Sequence, residues 1–128
     1  MAVRVNYSMV ADSAFFTKDT NNLNIIVIFD RIFVSNVPAV HPKMSLVVSI
    51  NGDPGNYPIK IVLKKDGSTD AGLVIDGNVE IKNVAESIRM ITELVNFPLT
   101  EAGKYLVQVK LNNESDITVA SFVVEQQS

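Results

Sequence analysis

His41 is the only histidine among the 128 residues of the chain, and its imidazole is the side chain best suited to acid–base chemistry. A site built from several imidazoles is therefore excluded within one chain, and a Ser-His-Asp triad would have to use this residue. The sequence contains no Gly-x-Ser-x-Gly nucleophile elbow. Because Val40 and Pro42 flank His41, we expect a histidine that anchors a loop by hydrogen bonding.

Asp30 and Arg31 form the second candidate, a charged pair within an apolar run. Adjacent residues on a strand point to opposite faces of the sheet, so these side chains are poorly placed to pair directly unless a bulge intervenes. We expect them to satisfy backbone groups at the end of a strand. Together with His41, they are the residues that an enzyme or a small-ligand receptor would use.

Oxygen-bearing side chains alternate at Asp66, Ser68 and Asp70, as they do in a calcium loop. The glycine comes one place late for an EF-hand and no glutamate closes the loop, so Asx-type turns explain these residues more simply. The chain has no cysteine, which excludes thiol nucleophiles and thiolate metal sites, and it has no glycine-rich phosphate loop. The sequence therefore predicts no cofactor.

Composition describes a soluble globular chain with 47% hydrophobic and 20% charged residues. The net charge is −3 and the 11 basic residues are scattered along the sequence, which argues against a nucleic-acid partner. No apolar run approaches the roughly 18 residues that a membrane helix requires. We therefore predict a cytoplasmic protein that forms a single domain over residues 1–128.

Short β-branched and alternating runs, separated by Gly, Pro, Asn and Asp, predict an all-β chain of about eight strands. Two prolines, Pro38 and Pro42, favour an extended connection over a continuous strand, and Asp76-Gly77-Asn78 favours a tight hairpin. The runs cover residues 3–11, 23–34, 43–50, 57–65, 73–75, 79–81, 86–97, 106–111 and 117–125.

The run at residues 86–97 fits helical and strand spacing equally well. The residues after this run resolve the ambiguity, because Leu99, Gly103 and Tyr105 resemble the tyrosine corner of immunoglobulin-like sandwiches, in which a tyrosine returns its hydroxyl to upstream backbone. This corner precedes the penultimate strand, so residues 86–97 should be a strand. The sequence thus predicts an immunoglobulin-like antiparallel β-sandwich with Greek-key connections.

Two stretches of the sequence carry a resemblance to a known family. The first comprises residues 7–14, 23–33 and 38–42, and the second comprises residues 94–99 with Gly103, Tyr105 and the final hairpin. They are similar to a bacterial family of small immunoglobulin-like proteins of unknown function, and together they cover nearly the whole chain. The resemblance implies the sandwich fold and assigns no catalytic or binding residue.

The run at residues 23–34 is apolar on both faces, with Leu23, Ile25, Val27 and Phe29 on one and Ile26, Ile28, Ile32 and Val34 on the other. A sandwich strand needs only one buried face. The second face is covered either by Phe15-Phe16 or the loop at residues 38–42, which is the preferred interpretation, or by another molecule. We therefore expect a noncatalytic protein-interaction or assembly module, with a protein partner or a homodimer. The alternative is an enzyme or small-ligand-binding protein.

Overall fold

The alternating runs of the sequence become strands. The computed structural model describes residues 3–68, 72–112 and 117–127. Within these residues the chain forms nine strands, and no helix there is long and apolar enough to cross a membrane. The strands are β1 (Val3–Phe16), β2 (Leu23–Ile28), β3 (Arg31–Val34), β4 (Ala39–Gly52), β5 (Gly55–Lys65), β6 (Leu73–Ile81), β7 (Ile88–Leu99), β8 (Gly103–Leu111) and β9 (Ile117–Gln126).

The strands form two sheets, which confirms the all-β prediction. The first has four strands in the order β2-β1-β4-β7, and the second has five in the order β3-β9-β8-β5-β6. All pairs are antiparallel except β3 with β9. Alternate residues of β5 and β8 are buried, among them Ile61, Leu63, Val107 and Val109. The core therefore lies against the inner face of the five-stranded sheet.

The predicted second run is two strands, β2 and β3, whereas the two short runs at residues 73–75 and 79–81 form the single strand β6. About eight strands were expected, and the described residues form nine. The chain changes sheets at Phe29 and Asp30. Phe29 N donates a hydrogen bond to Val10 O at 3.1 Å, whereas Asp30 O accepts one from Val123 N at 2.8 Å. Neighbouring residues thus bond to strands of different sheets.

Three further predictions meet different outcomes. The prediction of a hairpin at Gly77 is wrong, because β6 continues through this residue and pairs with β5 from Leu73 to Ile81. The break at Pro42 is also wrong. Strand β4 pairs with β7 on both sides of Pro42. On its other edge β4 pairs with β1 only from Ser45 onward, so at Pro42 that edge has no ladder for the missing proline N–H to interrupt. The strand over residues 86–97 is confirmed as β7.

Strand β4 is buried on both faces. Every residue from Met44 to Ile50 is buried, including Ser45 and Ser49 on the side away from the core. Arg89 pairs with Ser49 across the β4–β7 ladder and therefore shares that outer face. Its Nη2 donates to Asn21 O at 3.1 Å, and its guanidinium lies 5.1 Å from the centre of the Phe16 ring. The β1–β2 hairpin consequently folds over the outer face of the four-stranded sheet, where Arg89 holds its tip.

Two tyrosines tie two of the three connections that pass from the four-stranded to the five-stranded sheet within the described residues. Tyr105 Oη donates to Glu101 O at 2.8 Å between β7 and β8, as the predicted corner requires. Tyr57 Oη donates to Asp53 O at 2.8 Å between β4 and β5. Each tyrosine follows an acidic residue and a glycine in the pattern acid-x-Gly-x-Tyr. At Gly103 the backbone favours glycine, because φ is +129°, a conformation that residues with a Cβ atom rarely adopt.

Replacing either tyrosine by phenylalanine should lower the free energy of unfolding by about 1 kcal/mol, since it leaves a carbonyl oxygen without its donor. Urea unfolding of Tyr105→Phe and Tyr57→Phe measures this effect. Tyr7→Phe is the control, because Tyr7 is 38% exposed and its hydroxyl makes no hydrogen bond within the described residues. Equal stability losses in all three variants would contradict a role for the two ties.

Candidate functional site

A cleft of about 320 Å³ opens beside Tyr105, where the end of β7 faces β5, β6 and β8. The five-stranded sheet is one strand wider than its partner, and β6 is the strand at its edge. The apolar lining consists of Leu63, Leu73, Phe97, Pro98 and Tyr105, and the remaining lining consists of Lys64, Lys65, Ser68, Gly72, Thr100 and Glu101. An apolar floor with a few polar groups at the rim is the usual character of a small-molecule site.

Lys65 is the central polar group of this cleft. Its stem lies over Gly103, and its side chain is 26% exposed. Its Nζ is 3.5 Å from Asp66 O and 3.9 Å from Glu101 Oε2. Both distances are long for a charge-assisted hydrogen bond, so the ammonium group retains donor capacity.

The three predicted residues Asp30, Arg31 and His41 lie near one another in the chain fold, since Phe29, which precedes Asp30, contacts the ring of His41. Asp30 is exposed at the bend between β2 and β3, and Arg31 forms an ion pair with Glu125. Among the described residues, no hydrogen bond or ion pair connects any two of the three. None of them lines the cleft beside Tyr105.

His41 lies in strand β4, although a loop was expected. Its ring centre is 5.9 Å from that of Phe29, and Phe29 continues into a row of rings formed by Phe122, Tyr105 and Phe97. Its Nε2 is buried and has no hydrogen-bond partner within the described part of the chain. The imidazole therefore ends an aromatic row and does not anchor a loop through Nε2.

Metal binding has no supporting arrangement in residues 3–68, 72–112 and 117–127, where no three potential His, Cys, Asp or Glu ligands cluster. The calcium-loop pattern of the sequence falls partly outside these residues, because Asp70 is not among them.

Strand β2 is the second candidate, because its apolar side chains are not covered within the described chain. Ile26, Val27 and Ile28 are 47%, 59% and 61% exposed. Phe15 and Phe16, which were expected to cover them, are themselves partly exposed. Of the second predicted face, Ile32 is buried and Val34 is half-buried. The preferred interpretation of internal cover is therefore wrong only for Ile26 and Ile28.

Sequence reasoning missed the cleft, since its lining comes from three separate stretches at residues 63–68, 72–73 and 97–105. The repeated acid-x-Gly-x-Tyr pattern was a usable signal, because it marks two of the crossings from the four-stranded to the five-stranded sheet.

Substitution of His41 should separate a packing role from a chemical one. We expect His41→Phe to leave the free energy of unfolding unchanged or to raise it, because it removes a buried nitrogen without a partner. His41→Ala should lower it by about 2 kcal/mol, because it opens space beside Phe29. Urea unfolding provides both values, and an equal loss in the two variants would indicate a polar function for the imidazole.

Comparison with known proteins places the chain in a family. No curated protein matches it. A model of a family of unknown function, DUF6941, matches residues 6–125, which is nearly the full length of the chain. The protein therefore belongs to the DUF6941 family.

Proposed function

We propose that this protein is a noncatalytic assembly module that pairs with a second copy of itself through the edge strand β2. The observation that carries the proposal is an uncharged strand at the edge of a sheet, whose last three residues, Ile26, Val27 and Ile28, are apolar and exposed. Such an edge presents unpaired N–H and C=O groups together with apolar side chains, and it readily adds another strand.

The other three edge strands carry the features that normally prevent such pairing. Charged residues or proline lie within them: Arg31 in β3, Asp76 and Glu80 in β6, and Arg89, Glu93 and Pro98 in β7. Strand β2, with the sequence Leu-Asn-Ile-Ile-Val-Ile, contains no charge, no proline and no glycine. Proteins commonly protect exposed edges with charge or proline, so the unprotected β2 is the edge best suited to a partner.

A second copy is the simplest partner, because an antiparallel β2–β2 pair about a two-fold axis brings the same surface from both chains together. Val27 limits the extent of this pair. Its φ is 56°, a conformation that β-branched residues rarely adopt, so regular pairing runs from Leu23 to Ile26 and ends there. The exposed side chains of Val27 and Ile28 then add apolar contact beside the ladder.

We also propose that the sandwich is immunoglobulin-like with Greek-key connections. The strand order β9-β8-β5-β6 facing β4-β7 supports this, as does the tyrosine before the penultimate strand. In this scheme β1 is an additional strand between β2 and β4. Sandwiches of this kind serve many functions, so the fold alone does not indicate assembly, whereas the exposed edge of β2 does.

Size-exclusion chromatography with light scattering tests the assembly. The native protein should have twice the mass of the 14.0 kDa chain, and Ile26→Lys should have the mass of one chain, because a lysine at the paired edge puts two like charges together. Val95→Lys is the matched control, since Val95 is 62% exposed but lies on β7. A native monomer at all concentrations, or a monomeric Val95→Lys variant, would overturn the proposal.

A further inference from the structure

We infer that the cleft beside Tyr105 binds a small amphipathic monoanion, an aryl or alkyl carboxylate, whose carboxylate accepts hydrogen bonds from Lys65. The apolar part of the ligand packs against Leu73, Phe97 and Pro98. This site is independent of pairing at β2.

The volume of the cleft sets the size of the ligand. At about 320 Å³ it is at the lower end of the range for small-molecule sites. A single ring with a short acidic chain fits a cleft of this size.

The floor of the cleft offers apolar contact and little hydrogen bonding. The rings of Phe97 and Tyr105 meet edge to face with their centres 6.3 Å apart. The hydroxyl of Tyr105 already donates to Glu101 O. This floor therefore offers a ligand aromatic carbon, which favours contact with an apolar ring or chain.

The rim of the cleft determines the charge of the ligand. Among the described residues, the charged ones in its lining are Lys64, Lys65 and Glu101. At 3.9 Å, Glu101 is too far from Lys65 for a direct hydrogen bond, so a ligand carboxylate can bind the ammonium group more closely than Glu101 does. Lys65 therefore gives the rim an ammonium group that can bind the carboxylate of a ligand.

Nuclear magnetic resonance titration with phenylacetate tests this inference. Phenylacetate should shift the amide resonances of Lys65, Leu73, Phe97 and Thr100 in a saturable manner. The neutral analogue 2-phenylethanol and the cationic analogue 2-phenylethylamine should bind at least about fivefold more weakly than phenylacetate, because neither has a carboxylate to accept the charge-assisted hydrogen bond from Lys65. Equal binding of the three probes, shifts centred on another surface, or no saturable shift with phenylacetate would each overturn the assignment.

Three variants locate the charge that recognises the ligand. Lys65→Met should weaken phenylacetate binding at least about fivefold without changing the binding of 2-phenylethanol. Glu101→Gln should strengthen phenylacetate binding, because it removes the competing carboxylate. Lys43→Met is the control, since Lys43 lies on β4 within 3.7 Å of Glu93 and does not line the cleft. Unchanged phenylacetate affinity in Lys65→Met, with the native amide spectrum retained, would show that Lys65 is not the anion-binding group.

Discussion

The two tyrosine ties are the constraint on which the arrangement of the sheets depends. The chain crosses from the four-stranded to the five-stranded sheet between β4 and β5 and again between β7 and β8. At each crossing a buried tyrosine hydroxyl donates to the carbonyl oxygen four residues earlier. The chain has no cysteine, so no disulfide links the sheets. The ties therefore fix how the chain enters two adjacent strands, β5 and β8, at the centre of the wider sheet.

The positions of β5 and β8 also determine which of their side chains point into the core. Lys65 pairs with Tyr105 across these strands, and from there the register buries every second residue of both. The rings of Tyr105 and Phe122 stack with their centres 5.3 Å apart, so the position of β8 also constrains β9. Because Tyr105 contributes to the core, to the corner and to the wall of the cleft, the shape of the cleft depends on the same contacts that stabilise the fold.

The sequence predicted those features of the fold that arise from local patterns. Alternation identified β5 and β8, and the neighbourhood of Tyr105 identified β7 as a strand where periodicity was ambiguous. The errors occurred where distant pairing decides the outcome. Gly77 resembles a turn locally, but Ile59 stands opposite it and the ladder continues. Phe29 and Asp30 lie in one apolar run, yet they bond to different sheets. The cleft was not predictable from spacing, because Lys65 and Glu101 meet only through the register of β5 and β8.

The positions of β2 and the cleft make assembly and ligand binding separable. Strands β2 and β7 are the opposite edges of one sheet, with β1 and β4 between them. No residue that lines the cleft belongs to β2. Since the two surfaces share no residue, a charge placed in β2 acts on association without touching Lys65.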